Sequence, residues 1–234
     1  MSELPGEGGR SSSERLALLR LFHLVSPALP IGAYAYSQGL EYAVEAGWIG
    51  DEAATLDWLL ALSRHALGTL DLPILLRLQR SWRAGDIAAV RSWTARLIGS
   101  RATAESRAEE RHLGRALARV LIELELSEAG AWRTGEASFA TLFSLAAVRW
   151  QIRESDALSG YLWAWSENQV LAALKLVPLG QSAGQRMLHR LGDSMPQIVE
   201  RAMHLGEEAI GVGVIAPALA GALHESQYTR LFQS

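Results

Sequence analysis

Apolar residues recur along this chain at three- and four-residue intervals, and no stretch alternates as a half-buried strand would. The pattern predicts helices throughout. Ser11 and Glu14 have capping-box spacing ahead of Leu16, Leu19 and Phe22, so a first helix starts there and ends near Ser26-Pro27. Asp51 suits the cap of a helix carrying Leu56, Leu59, Leu60 and Leu62. Asp71 with Pro73 marks the start of another, because proline is tolerated in a first turn. Asp86 caps a segment with Val90, Trp93 and Leu97. Thr103 opens a long charged helix. Its apolar stripe is Leu113, Leu117, Val120, Leu121 and Leu124, and its wet face Glu105, Arg107, Glu109, Glu110 and Arg111. Ser138 opens an apolar helix with Phe139, Leu142, Phe143 and Leu145, and Ser155-Asp156 opens the most buried one, which ends before Pro178. Gly180 to His204 reads as a helix pair or one bent helix, broken at Gly192 and Pro196. The expected fold is all-α, a single-domain helical bundle of roughly ten helices. A disordered lead-in is expected over 1–13, the helical domain over 14–223 and a docking tail over 224–234.

One stretch breaks the pattern. From Ser26 to Glu41, two prolines and two glycines punctuate an apolar segment with two tyrosines. A linker would be polar and a core helix would lack these breakers, so the chain builds a packed, shaped turn here. Ser37 is the expected cap of the helix that follows and Gly47 its stop. The tail is equally unlike a free end. Tyr228, Arg230, Leu231 and Phe232 crowd its last seven residues, and such an end docks on the core or on a partner. Eight tryptophans are spread along the chain. Trp163 and Trp165, two apart, cannot share a helix face, so that helix is either buried all round or turns one ring to an interface.

Composition narrows the function classes. The 234 residues are 49% hydrophobic and 20% charged, with a net charge of −3. This near-balance argues against a nucleic-acid binder, and the absence of a basic recognition helix argues against a helix-turn-helix regulator. With no cysteine, disulfides and thiolate metal sites are excluded. The longest uncharged stretch, Ala209 to Leu223, is shorter than the ~20 residues of a membrane span and carries Pro217 and three glycines. No membrane contact and a cytoplasmic location are expected.

The candidate chemistry is sparse. The six histidines form no His-x-His and no His-x-x-x-His pair. Glu109 and His112 make one Glu-x-x-His, where a dimetal bundle needs two with two further glutamates. Gly211-Val212-Gly213 lacks the strand that a dinucleotide fingerprint requires, and Gly180 to Arg186 lacks the Lys-Ser/Thr pair of a phosphate loop. Lys175, in the last turn of its helix, complements the macrodipole or offers its charge to a partner. Glu167 lies eight residues before it, on the same side, while Asn168 and Gln169 need hydrogen-bond partners if buried.

Three segments, in order, carry a resemblance. They are Ser26 to Glu41, the run Trp163 to Gln169 continuing through Lys175 to Gln181, and His224 to Phe232. Together they resemble the UreF family of urease accessory proteins. The resemblance implies an all-α, non-enzymatic maturation factor with no catalytic residue, no metal ligand and no stable cofactor. It implies a homodimer that binds UreD (UreH) and recruits the UreG GTPase, which carries nickel to the urease apoprotein. Nickel and GTP would belong to those partners, and the chain would act as adaptor and modulator of the GTPase. It further implies that Pro27, Pro30 and Gly32 shape the turn, that Tyr36, Ser37, Gln38, Glu41 and Lys175 form the UreG side, and that Glu225, Gln227, Tyr228, Arg230 and Phe232 form the UreD side. The competing expectation is a helical-bundle metalloenzyme centred on Glu109 and His112.

Overall fold

A computed structural model describes residues 11–211 and 231–233. Helix α1, Ser12–Leu24, begins at the expected capping box: the Glu14 amide donates to Ser11 Oγ at 3.2 Å, and the Ser11 amide to Glu14 Oε2 at 2.8 Å. The lead-in expected over 1–13 is therefore helical from Ser12, and residues 1–10 lie outside the described part. Ala17, Leu21 and Leu24 face the core, whereas Leu16, Leu19 and Phe22 are 48, 62 and 57% exposed. Leu16, Leu19 and Phe22 therefore form the outer face. Both sets have helical spacing, and α1 is too apolar for its pattern to reveal which one is covered.

After α2 (Leu40–Glu45) the chain enters one continuous helical run from Glu52 to Ala84. Asp51 caps α3 (Glu52–Leu62) through the Ala54 amide at 2.8 Å. From Ser63 to Asp71 the helix widens to a π register, with the Leu72 amide donating to Leu67 O, and then continues as α4 (Leu72–Ala84). Pro73 thus begins no new helix after a loop. It sits where the register is already shifted, so its missing N–H breaks nothing. Asp71 is no cap either. It has helical dihedrals, and its carboxylate leaves the helix to meet Arg101. By length and composition this run is apolar enough to cross a membrane, but 67% of its apolar window is buried, as in a core helix. Leu72, Ile74, Leu75, Leu76 and Leu78 are fully buried at the centre of the molecule.

The remaining helices wrap this axis. Asp86 caps α5 (Ile87–Gly99), and Thr103 with Ser106 boxes the start of α6 (Ala104–Glu123). Ser138 caps α7 (Phe139–Arg149), whose residues 140–147 are buried on every side. Helix α8 (Glu154–Leu176) starts one residue before expectation and stops ahead of Pro178. Helix α9 (Gln181–His204) is one helix, not a pair. Pro196 faces solvent, where the carbonyl left without its N–H partner can be hydrated. A large core joins α1 and α3–α9, and a smaller cluster joins Leu40, Ala43, Ile49, Ala172, Ala173, Val177 and Phe232. Among the described residues no strand is present.

The closest backbone approach is at Gly114 of α6. A Cβ there would lie 2.7 Å from backbone atoms of Ala137 and Ser138, whereas at Gly160 it would meet only side chains, those of Leu21 and Val25. Backbone cannot swing aside as a leucine can. Gly114→Ala is expected to cost about 1–3 kcal/mol by overpacking, and Gly160→Ala distinctly less. Parallel urea melts of the two variants measure the difference.

Candidate functional site

The Ser26 to Glu41 segment is a built turn. The Leu29 amide returns to Ser26 O at 2.9 Å and the Ile31 amide to Leu29 O at 2.8 Å. The buried Leu29 and Ile31 side chains pin this half, while Pro27 and Pro30 stay exposed. Gly32, at φ +80°, admits the left-handed bend that opens the short 3₁₀ turn Ala33–Ala35. The apex is Tyr34, 68% exposed. Asn168 of α8 ties the apex down, its amide donating to Ala33 O at 3.0 Å. Its neighbour Gln169 is buried with neither amide atom partnered among the described residues.

Beyond the apex the chain dives inward. Tyr36 and Ser37 are buried, and the Tyr36 ring lies 6.3 Å from that of His112. Burial, then the Glu109 carboxylate, raises the Tyr36 phenol above its ordinary value. Ser37 does not occupy the cap of α2. That position belongs to Gly39, and Ser37 Oγ only reaches the Glu41 amide at 3.4 Å. Gln38 bridges two helices: Nε2 donates to Glu109 Oε1 at 2.8 Å, and Oε1 accepts from Trp165 Nε1 at 2.7 Å. Trp163 is partly exposed and Trp165 half-buried, so the two rings part as their spacing requires.

Glu41, from the turn, is 7% exposed, and its carboxylate accepts the amides of Leu231 and Phe232, the latter at 3.0 Å. The Gln233 amide donates to Ala35 O at 2.9 Å. The Phe232 ring is buried in the smaller cluster, and Lys175 Nζ stands 5.5 Å from its centre. Lys175 itself is exposed. The structure therefore brings Glu41, Lys175 and Phe232 together, although the resemblance divides them between two sides. Tyr36, Ser37 and Glu41 shape this region from beneath rather than standing on its surface. Glu225, Gln227, Tyr228 and Arg230 lie outside the described residues.

Under the turn lies a cavity of about 570 Å³, lined by Leu29, Ile31, Leu67 and Phe139 and by a charged wall. In that wall Arg101 lies between Asp71 and Glu110, with Nη1 3.2 Å from Asp71 Oδ2 and Nε 3.0 Å from Glu110 Oε1. Burial opposes the Arg101 charge, but the two carboxylates outweigh it and hold the guanidinium charged well beyond its usual range. Burial, then the same carboxylates, pushes the Tyr161 phenol far up. Glu109 and Glu110, expected on a wet face, are 5 and 7% exposed. The turn covers the one, and Arg101 compensates the other. No signal in the sequence pairs residues 71, 101 and 110, because helical periodicity marks apolar faces and not which buried charges meet. Among the described residues no three histidine, aspartate or glutamate side chains are placed to hold a metal ion. Glu109 turns to Gln38, while His112 lies against Tyr36 and Gly32.

These features define an all-helical protein with a hydrogen-bonded turn joined to residues 231–233. The UreF family model matches residues 49–192. The chain is 50% identical over 220 residues to the urease accessory protein UreF of Alkalilimnicola ehrlichii, covering 94% of this chain and 96% of that one. It is 46% identical to the UreF of Teredinibacter turnerae, over 93 and 98% of the two chains, and 44% identical to that of Hahella chejuensis, over 94 and 99%. This chain belongs to the UreF family.

Proposed function

We propose that the chain is an adaptor of urease maturation. It joins UreD to the UreG GTPase as a homodimer, so that nickel is inserted into the urease apoprotein at the expense of GTP. The reading is carried by one observation beside the family: large apolar side chains stand exposed on elements that are capped or tied down by hydrogen bonds. Leu16, Leu19 and Phe22 project from capped α1, and Tyr34 and Leu231 from the turn and the end it holds. Exposed apolar side chains grouped on one face, as Leu16, Leu19 and Phe22 are by their three-residue spacing, mark protein contacts. Pre-ordering lowers the entropic cost of making them. Nickel and GTP are handled by the partners, and the chain modulates hydrolysis by where it holds UreG. Its place of work is the cytoplasm.

The outer face of α1 supplies the test. Leu19→Asp combined with Phe22→Asp should leave the helical circular dichroism unchanged, since neither side chain is buried. It should lower either the dimer fraction in light scattering or the capture of UreD by tenfold or more, the order expected for hot-spot residues. An unchanged dimer together with unchanged capture contradicts this use of α1.

A further inference from the structure

We propose that Gln38 is the positioning residue of the turn: its side-chain amide, held between Glu109 and Trp165, keeps residues 32–41 in the backbone arrangement that presents Tyr34 and grips the C-terminal end. The inference rests on the adaptor reading and assigns it a residue that, although exposed itself, acts by holding two helices.

Gln38 and Gly39 are consecutive left-handed residues, at φ +53° and +85°. Gly39 adopts this freely. For Gln38 the conformation is disfavoured, because Cβ crowds the following carbonyl oxygen. Such a residue persists where its surroundings over-determine it. Here the surroundings are two helices far away in sequence. Glu109 of α6 is 71 residues distant and Trp165 of α8 is 127.

The chemistry is specific to a glutamine. The carboxylate of Glu109 can only accept and the indole N–H of Trp165 can only donate, so the two partners fix which end of the amide faces which. Leucine of similar size satisfies neither. Lysine has no acceptor for Trp165. A glutamate would serve Trp165 but set a second carboxylate against Glu109. Asparagine is one methylene shorter and cannot span the same two helices from an unchanged backbone. Gln38 also sits between the two features the adaptor reading uses: exposed Tyr34 four residues before it, and Glu41, which accepts from Leu231 and Phe232, three residues after.

The test exchanges donor and acceptor. Gln38→Glu should move the Trp165 indole N–H resonance, which is identified by its loss in Trp165→Phe. It should also lower capture of tagged UreD and UreG roughly tenfold, the order expected when the buried Glu109 carboxylate exchanges an amide donor for a second carboxylate. Adding Glu109→Gln to Gln38→Glu supplies an amide donor at position 109 and a carboxylate acceptor at position 38, so both readouts should return most of the way to wild type. Gln38→Leu brings no charge, should show the same loss, and should not be rescued by Glu109→Gln. Circular dichroism of every variant reports folding. Wild-type capture by Gln38→Glu, or a double variant no better than the single, overturns the positioning role alone. A wild-type chain that captures neither partner overturns the adaptor reading and this inference with it.

Discussion

Replacing Arg101 by alanine should lower the melting temperature by roughly 10 °C. The guanidinium is 21% exposed and stands between Asp71, 5% exposed, and Glu110, 10% exposed at the side chain. Removing it leaves two carboxylates facing each other in a low-dielectric wall with no cation between them. Breaking a buried ion pair in this way costs about 3–5 kcal/mol, and for a chain of this size each kcal/mol corresponds to about 2–4 °C. The loss comes from the stranded charges more than from the lost attraction. Combining Arg101→Met with Asp71→Asn and Glu110→Gln should therefore recover much of it, since no uncompensated charge then remains. A single variant that melts within a degree or two of wild type would mean that water reaches the group and solvates it. Asp71 ends the π-helical stretch and Arg101 and Glu110 flank the start of α6, so the triad ties the central helix to the helix that Gln38 grips.

The second large effect is expected at Phe232. Its ring is buried against Leu40, Ala43, Ile49, Ala172, Ala173 and Val177, with Lys175 above it. The backbone amides that Glu41 accepts would survive Phe232→Ala, because any residue supplies them. The apolar anchor would not. The small cluster stands apart from the main core, so the expected result is a nearly unchanged global melt together with release of the C-terminal end. If that end forms the UreD side, capture of UreD should fall by about 2 kcal/mol or more, some thirtyfold. Glu41→Ala attacks the same attachment from the turn. The resemblance alone led to the expectation that Glu41 and Lys175 act on UreG and the tail on UreD, separately. Glu41 and Lys175 both contact Phe232, so these three residues form one structural unit. The double variant Glu41→Ala with Phe232→Ala should therefore be little worse than either single change, the signature of coupled sites. Strict additivity of the two losses would separate them again.

Much of the fold was legible because caps and breakers act locally. Ser11, Asp51, Asp86, Thr103 and Ser138 each cap the helix they were expected to cap, since a side-chain oxygen one to three residues from its amide needs no tertiary help. The failures share a different cause. Pro73 looked like a boundary, but a π register absorbs it, and Pro196 lies on the exposed side of one helix, the second of the two readings its segment allowed. Which face of α1 is covered was not legible, because two apolar stripes fit one helix. At the site, the shaped turn was readable from its prolines and glycines. Its tethers were not: Gln38 to Glu109 and Trp165, Asn168 to Ala33, and Glu41 to Phe232 join residues more than seventy positions apart. Glu109 and Glu110 looked like a wet face because charge on a helix is ordinarily solvated, and only the fold shows what covers them.

Co-elution tests the adaptor role most directly. UreD and UreG are mixed with and without this chain, in the presence of GTP and nickel, and resolved by size-exclusion chromatography with light scattering. The adaptor account predicts one species containing all three proteins, with two copies of this chain, and no joint species of UreD and UreG when the chain is omitted. UreD and UreG eluting together to the same extent without it would contradict the account.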